Sequence, residues 1–464
     1  MPPEVETVAK QGAVYAQVRE LLAVAPRLAF EKTALVRDPL LRSRLRKAAY
    51  VALAARAPED AAALLPVVAD EKWLGEVHFA AALDVAWHTV RLQPALSKQL
   101  LVASAARWPD AALRARAQYI ELPYGRAIWD AASRAAPEPP TFERRASQLL
   151  LAPPAGLTGA EILTLAALAR TDVEIDRAVA LARGVDLNDP SLLAMAPSLL
   201  RAALALLPEP VVPDALAARA IEGIDDAEDP VLEAARASTF LRKPVAGMPS
   251  SYLGDLLRAH MATRDDRFDA AALFENGVNT QRYIFHDDVD GAESFASFLA
   301  AYADWRIERH GDFVKIVSPQ NGGRRIELFA NVPGRALKMK TAPQVIVHRG
   351  HDHHIDATLP LLDAGARLVY LGSCRGMQNA EDVVMRCPRA DVIATRAIGV
   401  TAVNDAFLKA LNVRLLSGEA MRWDSLWASM RPALGEHFAG YVPPHRNHAA
   451  VFLRAWLKHA LAAR

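Results

Sequence analysis

Two stretches of the chain end in residues able to do covalent chemistry. The first is QVIVH, followed by Arg349, Gly350 and His351. The second is RLVYLG, followed by Ser373, Cys374, Arg375 and Gly376. Each is a short apolar run of the kind that forms a buried strand, so each carries its reactive residue just past a strand end. In an open parallel sheet, sites form in the crevice beyond the carboxyl ends of the strands. His351 and Cys374 are 23 residues apart, room for one crossover helix. If the two strands are neighbours, imidazole and thiol sit side by side. A thiol is a weak nucleophile until it loses its proton, and a nearby imidazole can take or return that proton. Glycines beside both residues permit tight turns. They leave the backbone N–H groups of Gly350 and Cys374 free to hold the oxyanion of a tetrahedral intermediate.

Other residues near these strand ends also carry chemistry. HRGHDHHID supplies His348, His351, His353, His354 and Asp356, which are metal-ligand types. Against a single metal site, adjacent His353 and His354 at a helix start point in different directions, so no metal is expected. His348 is the rival to His351 as the partner of Cys374, and the preceding Gly350 favours His351. Cys387 follows a helix candidate and precedes Pro388, which reads as structural. These two cysteines are the only ones in the chain, which excludes a disulfide scaffold and a Cys-rich zinc site. Ten of the thirteen histidines and both cysteines lie after residue 280, so the chemistry belongs to the second part of the chain.

The elements that must position these residues have two grammars. Residues 1–262 are rich in Ala, Leu, Arg and Glu, with apolar residues at three- and four-residue spacing, as in LLAVAPRLAF and FAAALDVAWHTVRL. Proline-rich breaks at 137–140, 152–156, 208–213 and 243–249 read as turns between helices. This predicts a helical bundle or a short α-solenoid. Residues 263–464 read as α/β. RYIFH (282–286) is a strand, a helix follows near 291–303, and WRIERH, DFVKIVS and RRIELFA make a meander turned by NGG at 321–323. Strands at 344–348, 367–372 and 391–396 then alternate with helices at 354–364, 379–386 and 400–411, which argues for a mainly parallel sheet. Helices near 422–434 and 448–462 close the chain. Trp423 and Trp427 share a helical face and read as core, and Tyr441–His445 reads as a docking loop.

A net charge of +1 gives no broad field for nucleic acid or an anionic membrane. No charge-free run of 18 apolar residues suggests a membrane span. The opening MPPEVETVAK has no basic start or apolar core of an export signal, so the default compartment is the cytoplasm; a leader removed ahead of this numbering would leave no trace.

A strand ending in Gly350-His351, followed one crossover later by Ser373-Cys374-Arg375-Gly376, resembles the clan CD cysteine peptidases: caspases, metacaspases, gingipains, legumain and CHAT domains. The region from YIFHDDVDG to VPPHRNHAAVF also resembles a poorly characterised group of bacterial proteins with RGH and GSC motifs. The resemblance implies a caspase-like α/β/α sandwich, a His351–Cys374 dyad, peptide-bond cleavage in a protein or peptide substrate, and no cofactor. It also places the loop after the first strand in the S1 pocket, where Asp287 and Asp288 would favour Lys or Arg at P1. The plainer reading of those carboxylates is an acidic cluster at a helix N-terminus. Clan CD domains are often fused to helical modules, which would make residues 1–262 a regulatory or partner-binding surface. Two positions depart from the family pattern: Asp352 stands where glycine usually follows the histidine, and Gly372 replaces the caspase glutamine. They keep open an inactive interaction scaffold, and the histidine cluster keeps open a metal-dependent hydrolase.

Overall fold

The computed structural model describes residues 3–68, 82, 85, 86, 88, 89, 92–107, 153–169, 172–208, 210–262, 266–396 and 398–462. The chain divides into two compact units, residues 1–261 with 455–464, and residues 262–454. The expected break at 137–140 and most of FAAALDVAWHTVRL lie outside the described residues.

In the first unit, no strand occurs among the described residues. Prolines open its helices more than they separate them: Pro39–Arg56, Pro58–Val68, Pro94–Arg107, Pro197–Leu206 and Pro230–Phe240 each begin on one. The missing N–H costs nothing at that position, and the fixed φ already suits the helix. Side chains satisfy the neighbouring donors. Asp38 accepts from Leu41 N at 2.7 Å, Asp229 accepts from Leu232 N at 2.9 Å, and Thr158 forms a capping box with Glu161. Buried Arg201 pairs with buried Glu233 at 2.5 Å and donates to Ala220 O, tying three helices together.

The second unit is built on a mixed, mostly parallel sheet of eight strands. In chain order these are β2 (Val278–Phe285), β3 (Arg306–Arg309), β4 (Phe313–Val317), β5 (Arg325–Asn331), β6 (Val345–Arg349), β7 (Leu368–Leu371), β8 (Asp391–Thr395) and β10 (Tyr441–Val442). Two further short strands, β1 (Arg267–Phe268) and β9 (Met421–Arg422), form a separate ribbon. The spatial order is β10-β8-β7-β6-β2-β5-β4-β3. The pairs β5–β2, β2–β6, β6–β7 and β7–β8 are parallel, and antiparallel pairs occur toward both edges. Every residue of β6 and β7 is buried, which is why both read as unbroken apolar runs. The helices are α1 (Val289–Ala301), α2 (Ile355–Thr358), α3 (Ala380–Arg386), α4 (Thr401–Ser417) and α5 (Trp423–Leu434); α6 (His448–Ala462) starts in this unit and ends in residues assigned to the first. One core joins Tyr283, Phe285 and Tyr370 of the sheet to Phe298, Phe407, Trp423 and Trp427 of the helices.

Three local expectations change. The crossover after β6 is not one helix over 354–364. It is a 3-10 turn (Asp352–His354), the four-residue α2, and a second 3-10 turn (Leu359–Leu361). Pro360 has no N–H to give, and its ring would meet the carbonyl one turn back. Helix α4 runs on to Ser417 because nothing breaks it before Gly418, which takes a positive φ of 72°. Tyr441 and Val442, read as a docking loop, form the buried edge strand β10 against β8. A two-residue strand is too short to show alternation.

Candidate active site

The chain leaves β2 toward β5 on one side of the sheet, then returns to β6 on the other. The crevice at this reversal lies beyond the carboxyl ends of β2 and β6, where ligands bind in open α/β sheets. It is built from the loop after β2 (His286, Asp287, Asp288) with Asp290 in the first turn of α1, the loop after β6 (Gly350–His354) and, one strand over, the loop after β7 (Ser373–Gly376).

Strands β6 and β7 are parallel neighbours with His348 opposite Leu371. His351 and Cys374 each follow three residues beyond that pair, so they leave the sheet at equivalent positions. The ladder ends with Gly372 N donating to His348 O at 3.2 Å. Among the described residues, the N–H groups of Gly350 and Cys374 enter no backbone hydrogen bond. Neither cysteine is in a disulfide: Cys374 is a partly exposed thiol, and Cys387 is buried, its thiol donating to Asp363 O at 3.0 Å.

The Cys374 loop is held from behind. Thr395, the last residue of β8, donates to Ser373 O and accepts from Gly376 N at 3.1 Å. Asn404 on α4 donates to Gly372 O at 3.0 Å and accepts from the hydroxyls of Tyr370 and Tyr441 at 2.8 and 2.9 Å. Burial pushes the Tyr441 phenol up to about 12, so it stays a donor. Arg375 has left-handed backbone, φ 46° and ψ 34°, unusual for a residue with a side chain. Such strain persists only where the surroundings over-determine it. Here the Arg375 guanidinium is buried and lies 3.4 Å from Asp352, tying the cysteine loop to the histidine loop. Burial lowers its pKa to about 10, still fully charged at neutral pH. Thus Asp352, the residue directly after His351, has a partner.

His351 Nε2 lies 2.8 Å from Asp290 Oδ2. Asp290 was not singled out in the sequence, where only its place in an acidic run marked it. Asp288 is the N-cap of α1: its Oδ1 accepts from Gly291 N at 2.5 Å, and its Oδ2 lies 2.6 Å from His354 Nε2. Burial raises its pKa, but the Gly291 and His354 contacts outweigh this and leave it lowered. Asp287 is exposed and lies against Gly334, where a Cβ would fall 2.9 Å from its carboxyl carbon.

His348 is fully buried and does not face the thiol. One ring nitrogen, Nε2, lies 3.2 Å from His351 O, and the other, Nδ1, lies 2.8 Å from Thr358 Oγ1. His286 Nε2 meets the same hydroxyl at 3.1 Å. A carbonyl can only accept, so His348 donates through Nε2. Its Nδ1 therefore accepts from Thr358, and Thr358 accepts from His286. Burial pushes both rings down, His348 to about 3 and His286 to about 4; neighbouring His354 adds to the shift at His286. Gly350 makes room for this packing, since a Cβ there would fall 2.9 Å from the His286 ring. Asp356 has no place in the cluster, whereas His353 and His354 lie together, ring centroids 4.2 Å apart.

No protein-family model, curated protein or solved structure matches the chain.

Proposed function

We propose that the second unit is a caspase-type cysteine endopeptidase, with Cys374 as nucleophile and His351 as acid–base partner. The observation that carries this reading is the in-register adjacency of β6 and β7, which brings both residues out of the sheet at equivalent positions. The strand order β5-β2-β6-β7, with histidine and cysteine on adjacent parallel strands, fits the clan CD resemblance. In this mechanism the thiolate sulfur attacks the scissile carbonyl carbon. The N–H groups of Gly350 and Cys374, both outside the ladder, receive the oxyanion. His351 gives its proton to the departing amine, and water then hydrolyses the thioester. Asp290 acts as a positioning residue for His351, the third member of the nucleophile–base–orienter arrangement. Asp287, whose carboxylate is exposed, would meet a basic P1 side chain; Asp288 is already taken up by Gly291 and His354. No cofactor enters the reaction. The first unit, whose described helices pack on helices one or two along the chain, fits a short α-solenoid with a regulatory or partner-binding role.

The test is cleavage of a fluorogenic peptide library with Arg, Lys, Asp and Asn at P1 by wild type and by Cys374→Ala, with and without chelator. Cleavage lost in Cys374→Ala and kept in chelator is the expected result, with basic P1 preferred. Cleavage that survives in Cys374→Ala and disappears in chelator would replace this reading with a metal-dependent hydrolase. A silent wild type whose Cys374 also resists thiol probes would point to an inactive scaffold.

A further inference from the structure

The crevice carries a second chemistry that the thiol reaction does not use. Asp288, His353 and His354 each offer one ligand atom, and these atoms all lie within 4.8 Å of one another. We propose that these three residues bind a divalent first-row transition-metal ion of the zinc class. The loop after β2 supplies the carboxylate, and the turn after β6 supplies both imidazoles.

The donor set decides the class of ion. Two imidazoles and one carboxylate suit Zn²⁺ and its neighbours, while Ca²⁺ and Mg²⁺ need oxygen ligands. Around a tetrahedral ion with bonds of about 2.1 Å, ligand atoms stand about 3.4 Å apart. These ligand atoms now lie within 4.8 Å of one another, with Asp288 Oδ2 and His354 Nε2 2.6 Å apart, so side-chain shifts would admit an ion. The supporting contacts already exist. Asp288 is fixed through its other oxygen by Gly291 N, and the His354 ring stacks on His286 at 4.5 Å with 3° between planes. Such contacts around ligands set their orientation. Three protein ligands leave one position open, as in zinc sites that keep an exchangeable water. The ion would cross-link the loop after β2 to the turn that directly follows His351, without using His351 or Cys374. The site therefore stands whether or not the thiol chemistry is correct.

Three substitutions separate this proposal from a plain ion pair. Asp288→Asn keeps a good helix cap but removes the charged ligand. His353→Ala changes an exposed side chain, so the fold is not at stake. Cys374→Ala removes the thiol that follows β7 and could otherwise serve as a ligand. Full-length protein is titrated with Co²⁺ and Zn²⁺ alone, read by the visible Co²⁺ spectrum and by calorimetry. The expected result is one ion per chain with a tetrahedral or five-coordinate Co²⁺ spectrum, displaced by Zn²⁺ and not by Ca²⁺. Asp288→Asn and His353→Ala each weaken binding by on the order of tenfold or more, and Cys374→Ala leaves it unchanged. Binding that is absent, that ignores His353→Ala, or that disappears in Cys374→Ala with its sulfur charge-transfer band overturns the proposal.

Discussion

Gly399 sits where a methyl group would strike the wall of the cysteine loop. A Cβ built on it falls 2.2 Å from Gly372 O and 2.9 Å from the carbonyl carbon of Ser373. Real Cβ atoms essentially never approach closer than 3.0 Å, so Gly399→Ala forces a relative movement of at least 3.0 − 2.2 = 0.8 Å. Both partners are backbone, and the Gly372 carbonyl is itself held by Asn404, so no flexible side chain absorbs the push. Overpacking of this kind costs roughly 1–3 kcal/mol, and a misplacement of about 1 Å can cost a reacting centre on the order of a hundredfold in rate. Gly399→Ala is therefore expected to lower the unfolding midpoint modestly. It should change the Cys374 alkylation rate and cut Cys374-dependent turnover by about tenfold to a hundredfold. Gly311→Ala, where a Cβ meets nothing within 4 Å, is the control. The readouts are denaturant unfolding, iodoacetamide labelling of Cys374 and peptide turnover. A Gly399→Ala protein that matches the control in stability and labelling rate would refute the claim that this contact sets the cysteine loop.

Two further outcomes follow from buried charge. His348 is held neutral with a pKa near 3, below its unfolded value near 6.5. Between those values the unfolded chain binds the extra proton, so this contribution is complete above about pH 6.5 and falls as pH drops toward 3, by up to about 1.4 kcal/mol per pH unit. Urea midpoints from pH 7 to pH 5 should fall more steeply for wild type than for His348→Gln, and equal slopes would contradict the assignment. Asp405 is the buried partner of the buried Arg349 guanidinium and also accepts from Ser297 at 2.6 Å. Asp405→Asn strands that cation and should cost about 3–5 kcal/mol, while the double change Arg349→Met with Asp405→Leu recovers most of it; a single-variant cost below about 1 kcal/mol in denaturant unfolding would be the contrary result.

How much of this could be read from the residues depends on sequence distance. Strands β6 and β7 were legible because each is buried on both faces, and an apolar run needs no partner to be recognised. Their adjacency stood as a condition, which the short crossover between His351 and Cys374 allowed and the ladder meets. The contacts that complete the site join residues 61 and 66 positions apart, Asp290 with His351 and Asp288 with His354. Nothing in either local segment announces the other. Placing His353 and His354 on a regular helix start made them diverge; the 3-10 turn across Asp352–His354 and its reach toward the β2 loop bring both near Asp288. The props behind Cys374 were missed for a different reason. Thr395, Gly399 and Asn404 are ordinary residues for a strand end, a turn and a helix, and their roles exist only once β8 and α4 stand beside β7.

The hydrogen bonds running from His286 through Thr358 and His348 to the His351 carbonyl have only one possible direction. The carbonyl has no proton to give, so it sets the tautomer of His348, and His348 in turn sets the rotor of Thr358. Thr358 then requires a proton on His286 Nε2, which leaves the Nδ1 of the neutral His286 ring bare. One backbone oxygen thus writes the protonation pattern of three side chains. A change that turned that oxygen away would free all three together, so the turn carrying His351 and the buried rings beneath it share one hydrogen-bond pattern.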